Sequence, residues 1–175
     1  MLNPMLMIDG YKLDHRRQYP ADVRRVYSNW TPRGTRVAGQ DSVVFFGLQY
    51  FLARYLGGLM QEWFFGRTRT EVADEYARRI NGYLGPNGIG TDHILALHKL
   101  GYVPLRFCAL PEGTLCPLRV PMFTVESTHP EFAWLVNYFE TILSNVVWMP
   151  CTSATTAYRM RTILDEAAKL TGGDP

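Results

Sequence analysis

A chain of 175 residues has the length of one domain, or slightly more, and can bury a substantial core. Its hydrophobic content of 47% and aromatic content of 13% exclude a disordered or fibrous chain. The 18 basic and 16 acidic residues leave a net charge of +2, so the charge balance indicates no nucleic-acid partner.

The cysteines and the first residues indicate the compartment. Cys108, Cys116 and Cys151 are odd in number and form no CxxC pair, which is typical of reduced thiols rather than of a disulfide or zinc framework. The apolar segment 1–8 is too short to span a membrane and lacks the basic start and small-residue cleavage site of a signal peptide. We therefore predict a cytoplasmic protein with no membrane partner.

Apolar periodicity and turn residues divide the first two thirds of the chain into short elements. In chain order we predict a strand or turn at 5–11, a strand at 23–30, a helix at 41–55 that ends at Gly57 and Gly58, a helix begun by the capping box Thr68-x-x-Glu71, a loop at 82–90, a helix at 92–100 that ends at Gly101, and a strand at 103–110. Helices and strands do not alternate regularly, which favours an α+β fold.

The segment from residue 110 onward carries the clearest local signals. A Pro-Glu-Gly turn precedes a strand at 122–125, and Thr128-x-x-Glu131 with Pro130 predicts the start of a long helix. We expect Pro150 to break that helix. A last amphipathic helix at 155–170 then ends at Gly172.

The helix predicted at 131–149 has two different faces. One face is apolar and consists of Phe132, Leu135, Val136, Phe139, Ile142, Leu143 and Val146. The other face, which we call the polar stripe, consists of Trp134, Asn137, Glu140, Thr141, Ser144 and Trp148. Periodicity alone leaves two equal alternatives for the polar stripe: it bonds neighbouring backbone in a helix buried on both sides, or it forms the wall of a cavity.

The polar and aromatic run at residues 9–20 is the other candidate site. Gly10 permits an unusual backbone conformation, and the flat ring of Tyr11 suits stacking on a planar heterocycle. The alternative is an ordinary loop with a half-buried tyrosine and solvated charges. Six arginines make the first forty residues basic, and some of them suit a phosphate site: Arg16, Arg17, Arg24, Arg25, Arg33 and Arg36.

The histidines and common motifs supply no complete catalytic set. His93 and His98 are five residues apart and do not share a helix face as a metal pair would. His129 suits a capping role, which leaves His15 as the one histidine of interest. The chain has no P-loop, GxGxxG, GxSxG or HExxH motif. We therefore assign no catalytic residue and no metal ligand to this chain.

Several segments in the same order resemble the nicotinamide phosphoribosyltransferase family, which belongs to the type II phosphoribosyltransferases. They are Asp9-Gly10-Tyr11-Lys12, Gln18-Tyr19-Pro20, Val26-Tyr27-Ser28, Phe46-Gly47-Leu48-Gln49-Tyr50, Leu110-Pro111-Glu112-Gly113, Phe123-Thr124-Val125-Glu126 and the run from Trp134 to Leu143. The resemblance covers residues 7–170. Its shorter pieces also occur, in looser form, in nicotinate phosphoribosyltransferase, which stays open as an alternative.

The resemblance implies a reaction and a set of partners. Nicotinamide would displace pyrophosphate from 5-phosphoribosyl-1-pyrophosphate and give nicotinamide mononucleotide for NAD salvage, with Mg2+ neutralising the leaving group. ATP would act as an activator. Tyr11 would stack on the nicotinamide ring in the active site of a second copy, and Asp9 would line that site. The implied partner is thus a homodimer of the full-length enzyme.

The chain also departs from the family, whose members are two to three times longer. By resemblance, residues 1–150 form the N-terminal α+β domain and 151–175 begin the phosphoribosyltransferase barrel, of which the rest is missing. We expect the chain alone to be inactive, to expose the surface that the barrel covers, and to turn the polar stripe towards that barrel. The alternative is a truncated, non-catalytic dimerisation or interaction module.

Overall fold

Antiparallel strand pairing forms the centre of the computed structural model, which describes residues 3–174; Met1 and Leu2 of the predicted segment 1–8 lie outside the described residues. The strands are β1 (Tyr27–Trp30), β2 (Ser42–Val44), β3 (Leu105–Ala109), β4 (Leu115–Pro117) and β5 (Phe123–Ser127). One sheet has the order β1-β5-β3, and the other pairs β2 with β4.

The register of the larger sheet centres on β5. Trp30 of β1 and Ala109 of β3 both lie opposite Phe123, and all pairs are antiparallel. Along β5 the burial alternates strictly, which is the pattern of a strand with one face on the core. Phe123 stacks on Trp30 with ring centroids 5.7 Å apart. The expected mixture of helices and sheet is confirmed.

Helices surround these sheets. They are α1 (Lys12–His15), α2 (Leu48–Tyr50), α3 (Arg69–Leu84), α4 (Asp92–Leu100), α5 (Leu135–Tyr138) and α6 (Glu140–Thr171), with 3-10 turns at Pro4–Leu6, Arg16–Gln18 and Pro130–Phe132. Two helix ends lie where the sequence predicts them. Thr68 and Glu71 form the capping box of α3, and Gly101, in the left-handed conformation, ends α4.

The prediction of a helix at 41–55 is wrong at both ends of the helix. Residues 42–44 form β2 instead, because they pair with β4 far along the chain. The helix begins after Gly47, which has a φ of 101°, and a carboxylate oxygen of Glu112 accepts a hydrogen bond from the Gln49 backbone N–H at 2.7 Å. Gly57 and Gly58 do not end it, since π-helical turns continue at Phe51–Leu59 and Gln61–Phe65.

The long helix predicted at 131–149 is segmented at its start. His129, rather than Thr128, caps the 3-10 turn: its ring accepts a hydrogen bond from the Glu131 backbone N–H at 3.3 Å. The capping role predicted for His129 is thus confirmed. Separate helices α5 and α6 follow, with a break at Phe139.

Pro150 does not break the helix, contrary to our expectation. Although a proline removes one intrahelical hydrogen bond, α6 continues through it for 32 residues in all. Tertiary contacts around Pro150 explain this continuity. The Cys151 thiol donates to the Phe46 carbonyl at 3.2 Å, and the Thr155 hydroxyl accepts from the Val44 N–H at 2.9 Å. The predicted domain boundary at residue 150 thus lies within one helix, and the boundary itself stays a prediction.

The core lies between the sheets and the helices and is rich in phenylalanine. Six phenylalanines are essentially inaccessible to solvent: Phe45, Phe51, Phe64, Phe123, Phe132 and Phe139. The apolar face predicted for residues 132–146 is buried except for Val146, which is half-buried. Trp134, which we placed on the polar stripe, is buried too, because it packs edge-on against His93 and Tyr138.

Candidate functional site

Tyr11 projects from a short turn immediately before α1. Its side chain is 58% exposed, an unusual position for a large aromatic ring. Its ring meets the His15 ring edge-on, with centroids 6.0 Å apart, and the Lys12 ammonium lies 5.4 Å from its centroid. The Tyr11 ring is thus largely exposed to solvent while it contacts both His15 and Lys12.

The polar stripe holds this segment in place. The buried Lys12 ammonium donates to a carboxylate oxygen of Glu140 at 2.6 Å and to the Asn137 carbonyl at 2.7 Å. The Thr141 hydroxyl donates to the Asp9 carboxylate at 2.7 Å. These partners belong to distant parts of the chain, so the stripe anchors the two sides of Tyr11 at once.

A further bond fixes the end of the same segment. The Asn137 side-chain amide donates to the Tyr19 hydroxyl at 2.6 Å. Burial raises the pKa of Tyr19, and the bond from Asn137 opposes that rise. We expected the polar stripe to face a missing barrel. In this chain Asn137, Glu140 and Thr141 bind residues 9–19, and the contact of the stripe with a barrel stays a prediction.

The remaining part of the stripe lines a cleft, which we call the Arg33 cleft. Its volume is about 500 Å3, and it lies between α6, β1 and the loop after β1. Ser144 and Trp148 contribute from α6, together with the carboxylate-bearing Glu140. Its lining combines the hydroxyl groups of Ser28 and Thr31 and the Arg33 side chain with the apolar Trp30, Pro32 and Val43. The start of the stripe thus binds side chains of residues 9–19 rather than neighbouring backbone, and only its end matches the predicted cavity wall.

The other arginines occupy different surroundings. Arg16, Arg17 and Arg24 line a separate cleft of about 270 Å3, which also contains Tyr19 and Glu131. Carboxylates already pair with some members of the basic set: Arg17 with Asp14, and Arg25 with Glu126. The six arginines predicted as a basic region therefore do not converge on one site.

The histidines and cysteines lie apart from Tyr11, except for His15. His93 is buried against Tyr76, and burial, with Arg16 nearby, lowers the pKa of His93 to about 3. Burial also raises the pKa values of the Cys116 and Cys151 thiols, which disfavours their reactive thiolate form.

The sequence does not predict two features of this site. Lys12 has no distinctive sequence signal of its own, although Glu140 on the polar stripe offers an opposite charge. The Arg33 cleft had no local signal, because it forms from residues that are far apart in the chain.

Comparison with known proteins shows what this chain resembles. A family described as "Nicotinamide phosphoribosyltransferase, N-terminal domain" matches residues 3–85. The nicotinamide phosphoribosyltransferase of Acinetobacter baylyi is 45% identical over 98% of this chain. The resemblance to the N-terminal portion of the nicotinamide phosphoribosyltransferase family is confirmed.

More distant relatives agree with this match. Nicotinamide phosphoribosyltransferase from Xanthomonas campestris pv. campestris is 30% identical over 99% of the chain, and that from Mycoplasma genitalium is 28% identical over 99%. The chain spans 35% of the length of the Acinetobacter protein, 34% of the Xanthomonas protein and 41% of the Mycoplasma protein.

The fold is shared with a solved structure. The crystal structure of human Nicotinic Acid Phosphoribosyltransferase superimposes with a TM-score of 0.60 over 93% of this chain and 29% of the human chain, at 22% sequence identity. This likeness concerns the fold alone. Within residues 3–174, no helix is both long and apolar enough to cross a membrane.

Proposed function

We propose that this chain is part of an enzyme that converts nicotinamide and 5-phosphoribosyl-1-pyrophosphate into nicotinamide mononucleotide and pyrophosphate in NAD salvage. The observation that carries the proposal is the 45% identity to a nicotinamide phosphoribosyltransferase over 98% of the chain. Exposure of Tyr11 on an anchored segment supports it, because a rigidly held aromatic ring is suited to stacking on a pyridine ring.

In this proposal Tyr11 binds and orients the nicotinamide ring within the active site of a second copy of the full-length enzyme. Orientation aligns the ring nitrogen with the anomeric carbon, where it forms the new bond as pyrophosphate departs. Asp9 lies beside Tyr11 and is held by Thr141, so we assign it to the wall of the same site. The hydroxyl groups and the guanidinium of the Arg33 cleft suit a phosphorylated sugar.

The metal and the activator belong to other parts of the proposed enzyme. Within the described part of the chain, no group of three or more His, Cys, Asp or Glu side chains could hold a metal ion. We propose that Mg2+ arrives with phosphoribosyl pyrophosphate and that ATP binds outside this chain, which by itself is inactive.

A direct assay tests the proposal. The full-length gene product, purified and supplied with nicotinamide, phosphoribosyl pyrophosphate, Mg2+ and ATP, is expected to release nicotinamide mononucleotide and pyrophosphate. A parallel reaction with nicotinate distinguishes the amide from the acid as substrate. Product from nicotinate alone would favour a nicotinate phosphoribosyltransferase, and no product from either would overturn the proposal.

A second candidate role is that of a non-catalytic interaction module. It is favoured by an apolar surface on the C-terminal half of α6, where Met160, Ile163, Leu164 and Leu170 are 58–88% exposed. Residues 1–175 added to the active full-length enzyme test this role. A fall in activity with increasing chain concentration supports it, and constant activity contradicts it.

A further inference from the structure

Lys12 is the most constrained charged residue next to the candidate substrate contact. It is 1% exposed, whereas the Glu140 carboxylate that it binds is 63% exposed at its side chain. Burying a lysine is unfavourable unless its ammonium is well paired, and an apolar residue of similar size usually serves the core as well. The charge at position 12 therefore points to a requirement other than packing.

The bonds of Lys12 bridge a break between two helices. Asn137, whose carbonyl accepts one bond, belongs to α5, and Glu140 begins α6 after the interruption at Phe139. Because the ammonium binds both helices, it fixes α1 against them in one register. A methyl group in its place would fill the space without specifying that register.

Tyr11 depends directly on this arrangement. It precedes Lys12 in the chain, and the ammonium lies 5.4 Å from the centre of its ring. On the other side, Asp9 is held by Thr141, only one residue beyond Glu140. The exposed ring thus stands between two anchors on the same short stretch of α6.

We propose that Lys12 is a positioning residue, which sets the orientation of Tyr11 for binding nicotinamide through its bonds to Asn137 and Glu140. This inference rests on the proposed function. It predicts that Lys12 affects nicotinamide binding through Tyr11 and has little effect on binding once the Tyr11 ring is absent.

A double-mutant cycle in the full-length enzyme tests this. Lys12→Met is expected to raise the KM for nicotinamide about tenfold with kcat within about twofold, since a misplaced stacking ring weakens ground state and transition state alike. In a Tyr11→Ala background, the same substitution should change KM less than about twofold, because the two residues act as one unit. Lys99→Met, at an exposed lysine, is the matched control and should leave KM unchanged.

A second variant covers the case in which Lys12→Met fails to fold. Glu140→Gln alters the exposed partner of Lys12 and should raise the KM for nicotinamide about threefold, again only when Tyr11 is present. Equal effects in both backgrounds, or no effect with Tyr11 intact, would overturn the proposal. If instead the unmodified enzyme makes no nicotinamide mononucleotide, the proposed function fails and this inference fails with it.

Discussion

Tyr11 shows how an exposed aromatic residue can nevertheless be well positioned. Tyr11 is largely exposed, yet its ring makes a T-shaped contact with His15 and has the Lys12 ammonium over it. Both contacts involve the ring, so the proposed stacking role depends on the ring rather than on the hydroxyl.

A pair of substitutions at Tyr11 checks this conclusion. In the full-length enzyme, Tyr11→Phe should keep the KM for nicotinamide within about twofold, whereas Tyr11→Ala should raise it about tenfold, because an aromatic stack contributes up to about 1.4 kcal/mol. Steady-state kinetics at saturating phosphoribosyl pyrophosphate measures both. Equal KM values for Tyr11→Ala and the unmodified enzyme would contradict the stacking role.

His93 makes the stability of the fold depend on pH. Its pKa is lowered to about 3 by burial and by Arg16, so the folded chain keeps the ring neutral while the unfolded chain binds a proton below about pH 6.5. The contribution of His93 is therefore fully present above pH 6.5 and is lost as the pH falls towards 3.

Urea unfolding at several pH values measures this effect. Between pH 7 and pH 5, protonation of His93 in the unfolded chain should remove about 2 kcal/mol from the free energy of unfolding. His93→Phe should be less stable at pH 7, because it loses the contact of the ring nitrogen with the Tyr76 hydroxyl at 3.1 Å, but its stability should fall less over this interval. Parallel pH dependences for the two proteins would show that His93 is not the titrating group.

At the scale of elements, one close contact determines where two segments meet. Gly47 has a φ of 101°, and a Cβ built on it would lie 2.7 Å from the Cβ of Pro150. The turn before α2 therefore fits against the proline ring in the middle of α6. This contact, the bond from the Cys151 thiol and the bond that the Thr155 hydroxyl accepts from Val44 hold β2 and α2 against that helix.

Alanine at Gly47 tests the contact. Gly47→Ala should lower the free energy of unfolding by about 2 to 4 kcal/mol, since it combines backbone strain with a steric clash. Gly39 is a matched control: it also has a positive φ, 71°, but open space around it, so Gly39→Ala should cost only about 1 kcal/mol. Urea unfolding of both variants measures the difference, and equal losses would show that the contact with Pro150 is unimportant.

The elements that the sequence predicted well are those with local signals. The capping box at Thr68 and the glycine at position 101 act within one turn of their helices, so their neighbours suffice to identify them. β2 was missed because its apolar residues fit a helical period equally well, and only pairing with β4 decides between the two. The helix break predicted at Pro150 is wrong for a related reason, because the tertiary contacts around Pro150 cannot be predicted from the local sequence.

The candidate site also has features that the sequence predicts and features that it does not. Tyr11 and the polar stripe were found from residue type and periodicity, but their mutual contacts were not. Asn137, Glu140 and Thr141 share a helix face in any sequence reading. Their partners are residues 9–19. This pairing depends on how the first segment crosses α5 and α6, and no local sequence pattern predicts that crossing.

For the whole molecule, the C-terminal half of α6 is the surface least suited to water. Four large apolar side chains of this half are exposed, and they lie beyond the part of α6 that packs on β2. An apolar surface of this kind normally contacts another surface. We expected the chain to expose the surface that a barrel covers; that this apolar surface is the one covered stays a prediction.

Association of the isolated chain measures this property. Residues 1–175 should form larger species as concentration rises, and the double substitution of Ile163 and Leu164 by Asn should reduce that association at least about threefold in its apparent constant, because it removes apolar surface. Lys169→Asn is the control, since it changes an exposed polar residue of the same helix. Light scattering measures the size of the associated species. Identical association of all three proteins would contradict the prediction.

The length of α6 mechanically connects distant parts of the molecule. At about 1.5 Å per residue, its 32 residues form a rod of about 48 Å. The first turn of this rod holds Lys12 and Asp9, its middle is fixed to β2, and its last turns carry the exposed apolar side chains. If α6 tilts about that fixed middle, its two ends move in opposite directions. A displacement at the apolar end would therefore move Glu140 and Thr141 relative to Tyr11.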